Sequence, residues 1–134
     1  MISTESLGKL ILRLTVGILL LFHGVHKLLT GIGFIEQMVS VHHLPSMLAY
    51  GVYLGEILGP LLVILGVFTR IGAALIVINM IAAVLLAGMG QLVALGPMGG
   101  YALELEAFYL FGAVAIFLLG AGGLSLGGAS GRWS

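Results

Sequence analysis

Four long apolar segments constrain the fold of this chain more than any single motif does. They cover residues 7–29, 47–68, 71–89 and 101–119. A helix needs about 20 mostly apolar residues to cross a hydrocarbon core about 30 Å thick, and each segment is close to that length. Only 7% of the residues are charged, against about 25% in soluble domains, so the chain cannot form a soluble surface. The sequence predicts an all-α integral membrane protein whose single domain, residues 1–134, is a bundle of four transmembrane helices.

The positions of lysine and arginine predict how this bundle is oriented. Basic residues are more frequent in cytoplasmic loops. A cytoplasmic N-terminus places Lys9, Arg70 and Arg132 on that side, and only Lys27 on the other. Four crossings then return the C-terminus to the cytoplasm. Residues 120–134, rich in glycine and serine, are predicted to form a flexible tail. The expected location is the inner (plasma) membrane of a bacterium.

Composition and the placement of histidine exclude several kinds of site. The chain has no cysteine, which excludes thiol chemistry, cysteine zinc sites and cysteine-ligated iron–sulfur clusters within it. Only the first apolar segment contains histidine, so bis-histidine haem is not expected. The adjacent His42 and His43 cannot face one metal ion from a helix, and no metal site is predicted. The formal net charge is zero, which gives no reason to expect nucleic acid. A redox role therefore needs a bound cofactor or a partner.

The second apolar segment carries one carboxylate, Glu56. A charge near the bilayer centre costs at least ~2.5–3.5 kcal/mol, so an acid at this position indicates a specific role. Pro60 has no N–H and leaves the carbonyl of Glu56 without its helical partner. Gly51, Gly55 and Gly59 form a helix face that a neighbouring backbone can approach. Two interpretations stay open: Glu56 and its free carbonyl hold a proton, a cation or a ligand's donor, or Glu56 pairs with a basic residue and only fixes helix packing.

Other ionisable residues are expected to face the interior with this carboxylate. Arg13 and Lys27 share one face of the first helix, and His23 borders that face. Glu104 and Glu106 lie two positions apart, so only one of them can point inward, and Glu104 is the predicted one. If these groups converge, most charges can be paired, and the histidine is best suited to exchange a proton near neutral pH. From the residues alone, a ligand site and a polar network that sets helix register are equally supported.

Three groups of residues resemble the DoxX family of small four-helix membrane proteins. The first helix has the family's pattern in Arg13, Gly17, His23, Gly24, Lys27 and Leu28. The second helix matches in Glu56, Gly59, Gly66, Thr69 and Arg70. The last helix and tail match in Gly99, Gly100, Glu104 and residues 124–126. One departure is that residues 101–103 separate the glycine pair from the glutamate, which usually follows it more closely.

This resemblance implies a fold strongly and a function weakly. The family is similar to the membrane subunit of a thiosulfate:quinone oxidoreductase, and some members look like partners of soluble redox enzymes. We therefore expect a membrane subunit of a redox system that binds a quinone or a similar small lipophilic molecule. His23 and Glu56 are expected at the carbonyl groups of that ligand as catalytic residues. Arg13, Lys27 and Glu104 are expected to complete the polar network around it.

Two other hypotheses stay open. As a non-catalytic accessory or assembly subunit, the chain would join other subunits of a membrane complex, or further copies of itself, through its glycine-lined face. As a carrier of protons or small molecules, it would use the intramembrane carboxylate, but four short helices without paired broken segments argue against alternating access. The lipid bilayer and other membrane subunits are the expected partners. The residues alone do not decide whether this chain is itself an enzyme.

Overall fold

The computed structural model describes residues 3–128 and 133–134, and within these residues the chain is helical. The five helical segments are α1 (Thr4–Thr30), α2 (Gly33–Val41), α3 (Ser46–Leu65), α4 (Thr69–Gln91) and α5 (Glu104–Leu119). The described residues contain no β-strand, only an isolated bridge between Leu95 and Tyr101. The all-α prediction is confirmed. Arg132, used to predict the orientation, lies outside the described residues.

Three of the helices are long and apolar enough to cross a membrane. They are α1 with 27 residues, α3 with 20 and α4 with 23. The last helix, α5, has 16 residues and is about 24 Å long at 1.5 Å per residue. It starts at Glu104 and not at Tyr101 because the preceding residues form a turn. The fourth crossing and the cytoplasmic placement of both termini therefore stay predictions.

The turn between α3 and α4 differs from the predicted one. Gly66 has φ +72° and ends α3 at Leu65, three residues before the predicted end at Phe68. Phe68 itself has φ +46° and precedes Thr69, the first residue of α4. Glycine adopts this left-handed conformation without steric cost and commonly terminates helices. The reversal therefore occupies residues 66–68, whereas a turn at Thr69 and Arg70 was expected.

Two apolar clusters hold the helices together. The larger lies between α1, α3, α4 and α5, and its most buried members are Leu20, Val63, Ala73, Ile76 and Ala113. The smaller packs α2 against the start of α3 through Ile32, Val39, Ala49 and Val52. The short helix α2 thus lies beside the long helices and covers one end of α3.

Both α3 and α4 depart from regular α-helix geometry. In α3 a π-helical turn, Leu54–Leu58, precedes Gly59–Leu65, and the N–H of Gly59 donates to the carbonyl of Leu54. In α4 a π-helical turn, Val84–Gly88, follows Thr69–Ala83. Single π-helical turns inside helices occur frequently at functional sites. Residues of both turns line the same cavity, described below.

The predicted glycine face of α3 packs against α4 at two of its three positions. A Cβ atom on Gly55 would overlap the side chain of Asn79, and one on Gly59 would lie 2.9 Å from the carbonyl oxygen of Gly72. A Cβ atom on Gly51 would meet nothing within 4 Å. The structure therefore uses Gly55 and Gly59, but not Gly51, for close helix packing. Gly51 instead lines the cavity described below.

The first part of the predicted flexible tail returns to the bundle. The N–H of Leu126 donates to the carbonyl of Leu65 and that of Gly127 to the carbonyl of Gly66, both at 3.1 Å. Ala121 is buried. The last carbonyls of a helix have no partner within it, and here the tail supplies N–H donors at the end of α3. Residues 129–132 of this predicted tail lie outside the described residues.

Candidate functional site

A cavity of about 450 Å³ opens between α2, α3 and α4. Most of its walls are apolar side chains, among them Phe34, Ile35, Met38, Leu75, Ile78 and Leu86. Its polar lining consists of Lys27, Glu56 and Asn79. Small-molecule sites are typically concave, mostly apolar and supplied with a few convergent polar groups. This cavity is the best candidate for a ligand site in the described part of the chain.

The polar end of the cavity is a buried ion pair reinforced by an amide. The Nζ of Lys27 lies 2.6 Å from Oε1 of Glu56, and Nδ2 of Asn79 donates to Oε2 at 2.9 Å. The Glu56 side chain is only 4% exposed, whereas that of Lys27 is 28% exposed. Each carboxylate oxygen thus has its own donor, which is what a buried charge requires. The three residues belong to α1, α3 and α4, so the contacts join three helices at one level.

A close approach of α1 to α3 brings Lys27 to this carboxylate. A Cβ atom on Gly24 would overlap the main-chain carbonyl of Glu56, so only glycine lets the two backbones come this near. From the sequence, Pro60 leaves this carbonyl without its helical partner, and whether the carbonyl binds a ligand stays open. In the structure the carbonyl faces the backbone of α1 instead. Gly24 lies one turn before Lys27, and this contact therefore sets the position of the lysine side chain.

Arg13 does not join the cavity. Its guanidinium is 1% exposed and donates to four carbonyl oxygens at 2.8–3.1 Å, those of Val63, Ile64, Ala121 and Leu124. At 1.5 Å per residue, Arg13 lies about 21 Å from Lys27 along α1. It therefore binds the end of α3, where the last carbonyls of a helix have no partner within it, and the chain that follows α5. Its contacts are with main-chain carbonyls and it does not line the cavity, so its predicted place beside a ligand stays a prediction.

His23 and Glu104 also lie away from the cavity. The ring of His23 packs edge-on against Tyr109, with ring centroids 5.8 Å apart and an interplanar angle of 82°. Glu104 is exposed at the start of α5 and lines a separate groove of about 560 Å³ with Tyr101 and Phe108. Glu106 is half-buried and is not among the residues that line either space. The structure brings together two members of the predicted set, Lys27 and Glu56, and leaves the others apart.

Sequence reasoning missed two parts of this site. The first is Asn79. Its place in the third apolar segment predicts a hydrogen bond between helices. In the structure it donates that bond to Glu56, and it also lines the cavity. The helix α2 provides one wall through Phe34 and Met38. The sequence did contain an indication of this contact, because a buried carboxylate needs hydrogen-bond donors and Asn79 is an amide inside an apolar segment. No pattern indicated which helix α2 would cover.

The site offers hydrogen-bond donors to a ligand but no free carboxylate oxygen. The ammonium group of Lys27 has three N–H donors and the amide of Asn79 has two, and each spends one on Glu56. Lys27 and Asn79 therefore each have at least one N–H left to donate to a ligand oxygen. Across residues 3–128 and 133–134, no three His, Asp or Glu side chains lie close enough to hold one metal ion.

Comparison with known proteins identifies the family. The DoxX family model matches residues 8–89, which include α2, α3 and nearly all of α1 and α4. A Bacillus subtilis (strain 168) protein named "Putative oxidoreductase CatD" is 35% identical over 80 residues, 60% of this chain. The chain covers 59% of that relative's length. No solved structure matches the chain significantly.

The matched region contains most, but not all, of the residues on which the resemblance to this family rests. Those of the first two long helices, including Lys27 and Glu56, lie within residues 8–89. Gly99, Gly100 and Glu104 lie beyond them. The cavity is formed wholly by residues of the matched region. The family model covers more than half of the chain, and its three long apolar helices are those of a membrane protein: the chain belongs to the DoxX family.

Proposed function

We propose that this protein is a membrane subunit of a redox system and that it binds a quinone, or a similar small lipophilic molecule, in the cavity between α2, α3 and α4. One observation carries the proposal: an apolar cavity of about 450 Å³ ends at the Lys27–Glu56 pair, whose carboxylate is buried and whose ammonium group has donors to spare. The relative's name, with the word oxidoreductase, and the resemblance of the family to a quinone-linked subunit support the redox part.

In this proposal a ring carbonyl of the ligand accepts a hydrogen bond from Lys27, from Asn79 or from both. The apolar body of the ligand lies along Phe34, Ile78 and their neighbours, where it removes apolar surface from contact with water or lipid headgroups. Because the chain has no cysteine and its predicted redox role needs a cofactor or partner, a partner subunit supplies the electrons. His23 lies outside the cavity lining, so the proposal assigns hydrogen bonding with the ligand to Lys27 and Asn79, and proton exchange to the Lys27–Glu56 pair.

The proposal includes the topology predicted from the sequence. The helix α5 is the fourth crossing, since it contains no charged residue after Glu106. Both termini are then cytoplasmic, in the inner membrane of a bacterium. The site lies toward the outer half of the bilayer, because Lys27 is near the outer end of α1. An electron donor would dock on that face.

The accessory-subunit hypothesis has one specific observation in its favour. The Lys27–Glu56–Asn79 contacts join α1, α3 and α4, as a purely structural network would. In that case the cavity holds ordinary lipid, and the chain serves the assembly of a larger complex. A direct binding experiment separates the two possibilities.

Binding of a short-chain quinone to the purified chain in lipid nanodiscs tests the proposal. Ala83 lines the cavity and is half-buried, so Ala83→Phe fills part of the space and leaves Lys27 and Glu56 themselves unchanged. We expect this variant to bind quinone at least about tenfold more weakly than the wild type. The matched control is Leu118→Phe, at a 71% exposed position on α5, which should bind like the wild type. Equal quinone affinity in all three proteins would overturn the proposal and favour the accessory role.

A further inference from the structure

We infer that the cavity selects uncharged lipophiles, and that Glu56 enforces this selection by occupying the place where an anion would otherwise bind Lys27. The inference rests on the proposed function, because it names the class of molecule that the same cavity admits. It goes further in predicting which ligand charge each substitution would admit.

The ionisable lining of the cavity sums to zero charge. Lys27 and Glu56 are its two ionisable residues, and the remaining lining residues are apolar apart from Asn79. The Lys27 Nζ lies 2.6 Å from a carboxylate oxygen, the distance of a strong charge-assisted hydrogen bond. An acidic lipid or fatty acid would have to share the ammonium group with Glu56 or displace it. Either way, two carboxylates would have one lysine charge between them in apolar surroundings.

A second donor, on α4, holds the carboxylate beside the lysine. Its second oxygen accepts from Nδ2 of Asn79 at 2.9 Å. The Asn79 side chain lies directly over Gly55, where a Cβ atom would overlap it. Glycine at this position therefore lets the amide reach Glu56, whose side chain is 4% exposed. Two donors from two other helices fix the anion inside the site.

An added charge in this cavity has no partner. An anionic ligand would add a negative charge beside Glu56, and a cationic one would add a positive charge beside Lys27. In an apolar medium an uncompensated charge is strongly disfavoured. A neutral oxygen, by contrast, only accepts hydrogen bonds from donors that Lys27 and Asn79 have to spare. The internal ion pair thus makes the site a filter for ligand charge.

Three probes of equal length test this filter: decanol, decanoate and decylammonium. Each probe displaces a short-chain quinone from the chain in nanodiscs of uncharged lipid. The Ala83→Phe variant provides the baseline for partition into lipid. The wild type should bind decanol at least about tenfold more tightly than either ion. Glu56→Gln keeps the size of the side chain and frees the lysine, so decanoate should become the preferred probe. Lys27→Met leaves the negative charge of Glu56 in the cavity, so decylammonium should become the preferred probe.

The double variant Lys27→Met/Glu56→Gln tests whether the changed preferences come from charge and not from a loss of folding. It carries neither charge, and we expect the preference for decanol over both ions to return. Decanoate binding to the wild type as tight as that of decanol would overturn the inference, as would an unchanged probe preference in Glu56→Gln. In those cases quinone binding, and with it the proposed function, still stands. If neither quinone nor any probe binds above the Ala83→Phe baseline, the proposed function fails first.

Discussion

The backbone of α1 at Gly24 lies against the main-chain carbonyl of Glu56, with no room for even a methyl group between them. This contact sets the distance between α1 and α3 at the level of the cavity. It also explains why Lys27, one turn further along α1, reaches the Glu56 carboxylate.

Replacing Gly24 by alanine should separate α1 from α3. The added methyl group would overlap the Glu56 carbonyl, and forcing extra atoms into a well-packed interior typically costs about 1–3 kcal/mol. We expect a lower midpoint of thermal unfolding in detergent and weaker quinone binding. The control is Gly8→Ala, because a Cβ atom there meets nothing within 4 Å. Equal unfolding midpoints for the two variants would contradict the close contact.

Removing the Arg13 guanidinium should destabilise the fold. Arg13→Met leaves four carbonyl oxygens without their donor, and each unsatisfied buried group costs about 1–3 kcal/mol. Arg13→Lys should lose less stability, because an ammonium still reaches some of these oxygens. The midpoints of thermal unfolding measure the order of stability of the wild type and these two variants. Lys9→Met, at an i,i+4 pair with the exposed Glu5, should change stability little.

Quinone binding distinguishes this structural role of Arg13 from the predicted one beside the ligand. Arg13 lies about 21 Å along α1 from Lys27, so folded Arg13→Lys protein should bind quinone with wild-type affinity. A specific loss of affinity, at unchanged folding, would restore Arg13 to the ligand site.

Breaking the Lys27–Glu56 pair should cost more stability than removing it entirely. Lys27→Met leaves a buried carboxylate without its cation, a change that typically costs about 3–5 kcal/mol, whereas replacing both partners is often close to neutral. We expect Lys27→Met/Glu56→Gln to unfold at a higher temperature than Lys27→Met. A double-mutant cycle of unfolding midpoints measures the coupling. Additive effects of the two substitutions would show that the pair does not stabilise the fold.

Cysteine labelling can establish the number of crossings, since the chain contains no cysteine of its own. Four variants each introduce one thiol: Ser3→Cys, Ser46→Cys, Met98→Cys and Ser134→Cys. With four crossings, a membrane-impermeant maleimide should label positions 46 and 98 from outside intact cells, and positions 3 and 134 only after lysis. Met98 is 97% exposed and is a favourable reporter. Labelling of positions 98 and 134 from the same side would show that α5 does not cross.

The long helices could be predicted from the sequence because hydropathy is a local property. The three spans of α1, α3 and α4 follow the apolar segments to within a few residues. Helix ends were harder, since Gly66 ends α3 through a left-handed conformation that the apolar run to Phe68 conceals. The π-helical turns in α3 and α4 also escaped prediction.

The candidate site could be predicted only in part. Glu56 was recognisable because a carboxylate inside an apolar run needs a partner, but its partner was not. Lys27 and Arg13 share one face of α1 and were equally good candidates. In the structure Glu56 pairs with Lys27, whereas Arg13 donates to carbonyls 50 to 111 residues away in the chain.

The sequence by itself determined that this protein is an all-α membrane protein of the DoxX family with an acid buried in its second long helix. These conclusions depend on residue types and spacings along one segment at a time. Only the tertiary structure decided that Lys27 and Asn79 hold this acid, that α2 covers a cavity beside it and that Arg13 ties the chain after α5 to the end of α3. Those contacts depend on how closely the backbones approach, and that distance is set where Gly24 and Gly55 leave no side chain in the way.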